Sequence, residues 1–192
     1  MYKQCQTEYS EERQHRLEQG LLRVMGKKKF EQITVTDLCE ELGIPRKSFY
    51  RYFDSKEGAL YALIDHTLMA FNLHTTRPEF HDEQTPMQYM AGIFSAWVEQ
   101  KELLDALEKS GLSGLLIQRA LEVTKELDTI PDFMQINDRR LREYGTMFTV
   151  CGLMSIIVQW HRDGFAKSVE DMAGLTMEMF AKPLFSINLN GK

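Results

Sequence analysis

Apolar residues recur at helical spacing along nearly the whole chain. Leu17, Leu21, Leu22, Val24 and Met25 form a broken stripe that predicts a first helix over about residues 10–25, behind a polar, frayed start at residues 1–10. Gly26 and the run Lys27-Lys28-Lys29 suit its end, because cations favour a helix C-terminus. Phe30 and Ile33 follow as core plugs. Val35, Leu38, Cys39 and Leu42 give a second helix one apolar face, and Leu60, Leu63, Ile64, Leu68 and Phe71 stripe a long helix over about 56–73. Residues 74–85, with Pro78, read as a loop. Thr85-Pro86 opens a helix carrying Met87, Met90, Ile93, Phe94, Trp97 and Val98. Leu103, Leu104 and Leu107 predict a short helix stopped at Ser110-Gly111, and 112–127 the next, before a break at 129–132. Ser168 caps a last helix with Val169, Met172, Leu175, Met179 and Phe180, and Pro183 stops it. No stretch alternates with the period of a strand. The pattern predicts an all-α fold of about nine helices.

The stretch 33–56 is the most informative. Thr34 and Asp37 have the spacing at which a hydroxyl and a carboxylate satisfy the orphan amides of a helix start. Gly43 stands where a left-handed residue closes a helix, and Pro45 restarts one in its first turn. The sum is a helix-turn-helix. In its second helix Phe49 and Phe53 point inward with Ile44. Arg46, Lys47, Tyr50 and Arg51 occupy the other faces, and no acid stands between Ile44 and Phe53. Such a helix suits a groove walled by phosphates. Lys56 follows a candidate cap, Ser55, so its ammonium stands at a helix start where a phosphate is held.

Thr34-Val35-x-Asp37-Leu38, Leu42-Gly43-Ile44, Ser48-Phe49-Tyr50-Arg51-Tyr52-Phe53 and Ser55-Lys56-Glu57 together resemble the DNA-binding motif of the tetracycline-repressor (TetR) family of bacterial regulators. Pro45 and Lys47 depart from the family pattern, which bears on base preference. The resemblance implies a three-helix DNA-binding head at 1–56 and an effector-binding and dimerisation domain at 57–192. It assigns Thr34, Thr36 and Lys56 to phosphates, and Arg46, Lys47, Ser48 and Tyr50 to bases or their flanking phosphates. Arg51 and Tyr52 are assigned to phosphates.

A second informative stretch runs from Tyr144 to Trp160, 17 residues without a charge. A helix apolar all round is buried all round. One face meets its own core and the other needs a partner, which small residues such as Gly145, Gly152 and Ser155 let come close. Together with the last helix this predicts a four-helix bundle between two copies, with Gly152, Ser155, Ile156, Gln159, Met172 and Met179 at the seam. Two heads about a helical turn or a multiple apart then read a palindromic operator in double-stranded DNA. The resemblance also implies an effector pocket in the body. Candidate lining is His66, Met90, Phe94, Trp97, Tyr144, Phe148 and Cys151, with Asn72 and Gln159 as further polar groups. The expected effector is a small, largely apolar molecule that lowers operator affinity.

Charge sharpens this picture. The net charge is −5, yet residues 1–56 carry 11 Lys and Arg against 9 Asp and Glu. A basic surplus falls on the helix-turn-helix, as a nucleic-acid footprint should. Cys5, Cys39 and Cys151 are far apart and suggest neither a disulfide framework nor a zinc site. The five histidines show no i, i+4 metal pair, and no cofactor is expected. No phosphate loop, His-Glu-x-x-His or Gly-x-Ser-x-Gly is present, which argues against an enzyme. A charged N-terminus without an apolar signal core, and no stretch suited to a membrane span, imply a cytoplasmic protein. Two other readings stand beside the repressor: a TetR-like activator or co-regulator acting through a protein partner, and a helical small-molecule carrier.

Overall fold

The computed structural model describes residues 1–75, 85–125 and 138–181, without the side chains of 71–75, Arg139 and Arg142. The described residues form nine α-helices and no strand: α1 (Glu8–Lys27), α2 (Val35–Leu42), α3 (Arg46–Phe49), α4 (Lys56–Thr75), α5 (Pro86–Glu99), α6 (Lys101–Lys109), α7 (Ser113–Lys125), α8 (Arg139–Arg162) and α9 (Val169–Ala181). A 3-10 turn at Phe30–Gln32 joins α1 to α2. The loops expected at Pro78 and at 129–132, the stop at Pro183, and the candidate Asn72 lie outside what is described.

Local chemistry sets the boundaries. Thr7 caps α1 reciprocally with Ser10, which starts the helix at Glu8, two residues ahead of the expected start. Thr34 and Asp37 cap α2 in the same way, and Gly43 closes it at φ 62°, its N–H reaching the carbonyls of Cys39 and Glu40. Thr85 caps α5 with Gln88. Asp138 accepts the N–H groups of Arg140 and Leu141, so α8 begins ahead of its uncharged run.

In the head, α1 packs on α2 and α4, with Leu21, Met25, Ile33, Leu38, Phe49, Phe53 and Leu60 all at or near zero exposure. At Gly20 a Cβ would stand 2.7 Å from the Leu42 methyls, so a larger residue there would have to displace that side chain. The body stacks α5 on α9 and α7 on α8, and α4 and α1 reach into it against α7 and α6. Head and body thus share a continuous core. Two polar ties cross the seam: the Phe30 N–H donates to Ser110 Oγ at 3.1 Å, and Lys109 Nζ to the Gly26 carbonyl at 2.8 Å. The 56/57 boundary falls at the first turn of α4, whose Ala59, Leu60 and Leu63 belong to this shared core.

Two expectations need correction. Residues 1–6 do not fray but strap onto the segment after α3. The Lys3 N–H donates to the Tyr52 carbonyl at 3.0 Å, and the Asp54 N–H to the Met1 carbonyl at 3.1 Å. Nor is α8 buried all round in the single chain. Leu153, Met154, Ile157, Val158 and Trp160 are buried, but Tyr144 and Phe148 are 69% and 74% exposed. The uncharged run therefore divides into a packed second half and a bare first half.

Candidate nucleic-acid interface

Four residues make α3, and its orientation is set from below. Phe49 is 1% exposed and Phe53 is fully buried, their rings 5.3 Å apart. With these two anchored inward, helical geometry turns Arg46, Lys47, Tyr50 and Arg51 outward, and all four are exposed. Arg46 donates to the Tyr50 hydroxyl at 3.3 Å, and its guanidinium lies 5.9 Å above that ring. The contact holds the side chain without neutralising its charge. Lys3 Nζ donates to the Tyr50 carbonyl at 3.0 Å and so pins the C-terminal end of the helix.

Helix α2 packs against this helix. Thr34 Oγ1 accepts the Asp37 N–H at 3.1 Å and donates to Asp37 Oδ2 at 2.7 Å, so its hydroxyl is committed to the cap. Thr36 is exposed. Lys28 Nζ stands 2.7 Å from Asp37 Oδ1. That ammonium first, and the Thr34 hydroxyl next, hold the Asp37 carboxyl down at about 2. Lys27 pairs with Glu41 at 2.6 Å. Two of the three lysines at the end of α1 thus brace α2.

Lys56 does not stand as expected. Its Nζ donates to the carbonyls of Phe30 at 2.9 Å, Glu31 at 3.1 Å and Ile33 at 2.8 Å, and lies 4.7 Å over the Phe30 ring. The ammonium closes the 3-10 turn onto the start of α4 and has no donor left for a phosphate. Tyr52 is also displaced from its assignment. At 8% exposure it packs under α3. Ser48 and Arg51 instead line a shallow cleft of about 80 Å³ between α1 and α3, with Arg13, Arg16, Leu17, Leu42, Ile44 and Tyr52. Sequence reasoning missed Arg13 and Arg16. Their spacing of three along α1 was the available signal.

The expected effector residues are not brought together. Met90 and Phe94 are fully buried and Trp97 is 1% exposed, so they are packed core, with Phe94 edge-on to Trp160 at 5.3 Å. Tyr144 and Phe148 stand outside on bare α8. Cys151 is half-buried. His66 lies at the α1–α4 seam, its Nδ1 2.9 Å from Oε1 of the solvent-excluded Glu18. Of the expected seam residues, Ser155 and Gln159 are exposed, and Gly152, Ile156 and Met179 half-buried. Met172, at 5% exposure, belongs to its own chain's core and not to a seam. Ser155, Gln159, Tyr144 and Phe148 fall on one helical stripe, so the two aromatics expected in a pocket continue the outer face instead.

A buried ionic junction was also not foreseen. Asp65, on α4 and 1% exposed, accepts Arg119 Nε of α7 at 2.7 Å through Oδ1 and the Tyr2 hydroxyl at 2.8 Å through Oδ2. Arg119 also pairs with Glu122, and its guanidinium lies 5.2 Å over the Tyr61 ring. Among the described residues no helix is long and apolar enough to cross a membrane.

Residues 19–63 match the family described as bacterial regulatory proteins, tetR family. An HTH-type transcriptional regulator, EthR, of Mycolicibacterium smegmatis is 51% identical over 43 residues. That match spans 22% of this chain and only 20% of the relative. Two solved structures share the fold over most of the chain. The dihydroxyacetone kinase operon activator DhaS superposes with a TM-score of 0.53 at 11% identity, over 88% of this chain and 93% of that one. The fatty acid degradation regulator FadR from Bacillus halodurans does so with 0.56 at 15%, over 96% and 100%.

Proposed function

We infer, from a head that belongs to the tetR family of bacterial regulatory proteins, that this chain binds duplex DNA sequence-specifically and regulates transcription. The observation that carries the reading is α3 itself. It is an acid-free helix seated on Phe49 and Phe53, with Arg46, Lys47, Tyr50 and Arg51 turned to solvent. In the major groove, Arg46, Lys47, Ser48 and Tyr50 face base edges and their flanking phosphates, while Arg51 and Thr36 take the backbone. Thr34 orders the α2 terminus that points its N–H groups at a phosphate.

The finer reading is a homodimeric repressor of a palindromic operator. The bare face of α8, with Leu141, Tyr144, Met147 and Phe148, and the exposed Leu175 and Phe180 of α9 supply an apolar surface that a second copy would cover. Two-fold pairing then sets the distance between the two α3 helices. A small, largely apolar effector in the body would release DNA by binding two head spacings unequally. Because Met90, Phe94 and Trp97 are solvent-excluded, entry requires that core to open. The Asp65–Arg119 link from α7 to α4 is the path by which the opening reaches the head.

The experiment is selection of duplexes from a random pool with the purified chain, followed by titration of the enriched duplex. A palindromic consensus bound far more tightly than a scrambled duplex supports the reading. Equal, weak retention of both refutes it. Apolar metabolites are then titrated against the complex, and ligand binding that leaves operator affinity unchanged counts against the switch.

A further inference from the structure

In the cleft between α1 and α3, Arg13 and Arg16 have no role in the reading above. Arg13 and Arg16 enter it from α1, and Ser48 and Arg51 from the recognition helix, over an apolar floor that includes Leu17 and Ile44. No Asp or Glu lines it. Arg16 and Arg51 make no hydrogen bond or ion pair among the described residues. Glu12, four residues before Arg16 and so within reach of an i, i+4 pair, does not make one. Arg13 is held by the Tyr9 hydroxyl at 3.0 Å and by that ring, 5.4 Å from its guanidinium, neither of which carries a counter-charge. By contrast, Lys27 pairs with Glu41 and Lys28 with Asp37. Three guanidinium groups around one small cleft, with no carboxylate, leave a positive potential that an oxyanion would satisfy.

We propose that this cleft is a phosphate site that extends the nucleic-acid surface from α3 onto α1. Arg13, Arg16 and Arg51 grip one backbone phosphate outside the base-reading face, and Ser48 donates its hydroxyl to it. The proposal rests on the DNA-binding reading above. Two features favour a phosphate within a strand over a free anion. The cleft is open and holds a phosphate group with a few waters, not a whole nucleotide. It is also continuous with the exposed face of α3, because Ser48 and Arg51 are shared between them. The guanidinium forks fit phosphate bidentately, and the contact is blind to sequence.

The test is fluorescence anisotropy of the full chain on the pool-enriched duplex and on a scrambled duplex, over a range of salt concentrations. The variant is Arg13→Gln/Arg16→Gln. The control, Lys101→Gln/Lys125→Gln, removes the same charge from the body. Circular dichroism melts confirm that both fold. The expected result for the arginine variant is a log-affinity against log-salt slope flatter than wild type by up to about 0.9 per bound head, the contribution of the one phosphate that loses its contact. Its loss of affinity should be equal on both duplexes, and the control should leave the slope unchanged. A slope matching the control overturns the proposal, as does a loss confined to the enriched duplex. Calorimetry with inorganic phosphate separates the sources. Saturable binding to the wild type, abolished in the arginine variant whose DNA slope is normal, assigns the cleft to a free anion and overturns the role in DNA binding. If the wild type itself retains no duplex, the regulator reading fails and this inference with it.

Discussion

Replacing Lys56 by Met separates two roles that the residue's position alone does not distinguish. Methionine keeps the length and apolar stem of the side chain and removes the ammonium. Three charge-assisted hydrogen bonds, to the carbonyls of Phe30, Glu31 and Ile33, disappear with it. Bonds to a charged group contribute about 1.5–3 kcal/mol each when isolated. The Glu31 carbonyl is exposed and takes water in exchange, whereas those of Phe30 and Ile33 are partly covered. The cation over the Phe30 ring adds about 0.5–1 kcal/mol. The three bonds share one donor and are not additive, so the expected cost is about 2–4 kcal/mol. For a chain of this size that lowers the melting temperature by roughly 5–15 °C. Scanning calorimetry reads the melt, and anisotropy on a duplex reads the salt slope. Lys56→Met should melt lower and keep the wild-type slope once measured well below its melt. A variant that melts with the wild type, and whose slope is flatter by about 0.9, would show that the ammonium lies on a phosphate and refute the assignment.

Three more predictions follow from other interactions. Glu18 raises the His66 imidazole above its ordinary range, chiefly by its hydrogen bond and against the effect of burial, with Asp65 and Glu11 adding attraction. The bond's contribution is full below about pH 6.5 and is lost as pH rises through the elevated folded value. The stability difference between wild type and His66→Gln in urea should therefore shrink from pH 6 to pH 9; a difference that grows contradicts the pairing. Among the described residues, Arg119→Met leaves Asp65, 1% exposed, with only the Tyr2 hydroxyl. It should cost about 3–5 kcal/mol by chemical denaturation, much of which Asp65→Leu in the same chain restores; a loss below 1 kcal/mol would show the junction to be solvated. Leu141→Asp/Phe148→Asp puts charges on the bare face of α8, at positions 62% and 74% exposed. Sedimentation should then give a monomer with an intact fold and weaker operator binding, and an unchanged dimer would place the seam elsewhere.

The head is legible because its signals are local. Thr34, Asp37, Gly43 and Phe49 act within a few residues of themselves, and each does in the structure what its spacing implies. The polar network is illegible because it joins residues far apart. Asp65 meets Arg119 across 54 positions, and Lys56 meets Phe30 across 26. No periodicity announces such a partner, so Lys56 reads as a free cation. Residues 1–6 escape for a similar reason. Polar composition suggests fraying, but the strap is held by backbone groups of Met1 and Lys3 that composition does not weigh. In the body, a Met- and aromatic-rich face is the same pattern whether it lines a pocket or fills a core. Only packing shows that Met90, Phe94 and Trp97 fill one. The uncharged run of α8 reads correctly as apolar and incorrectly as uniformly covered, because a sequence does not separate its own core from a partner's.

The most direct measurement is the affinity of the wild type and of Arg46→Ala for every single-base-pair variant of the pool-enriched duplex. If α3 reads the groove, the substitution costs about 1–3 kcal/mol and erases discrimination at one position of each half-site while preserving the others. Discrimination that survives at every position would contradict the claim that this short cationic helix does the reading.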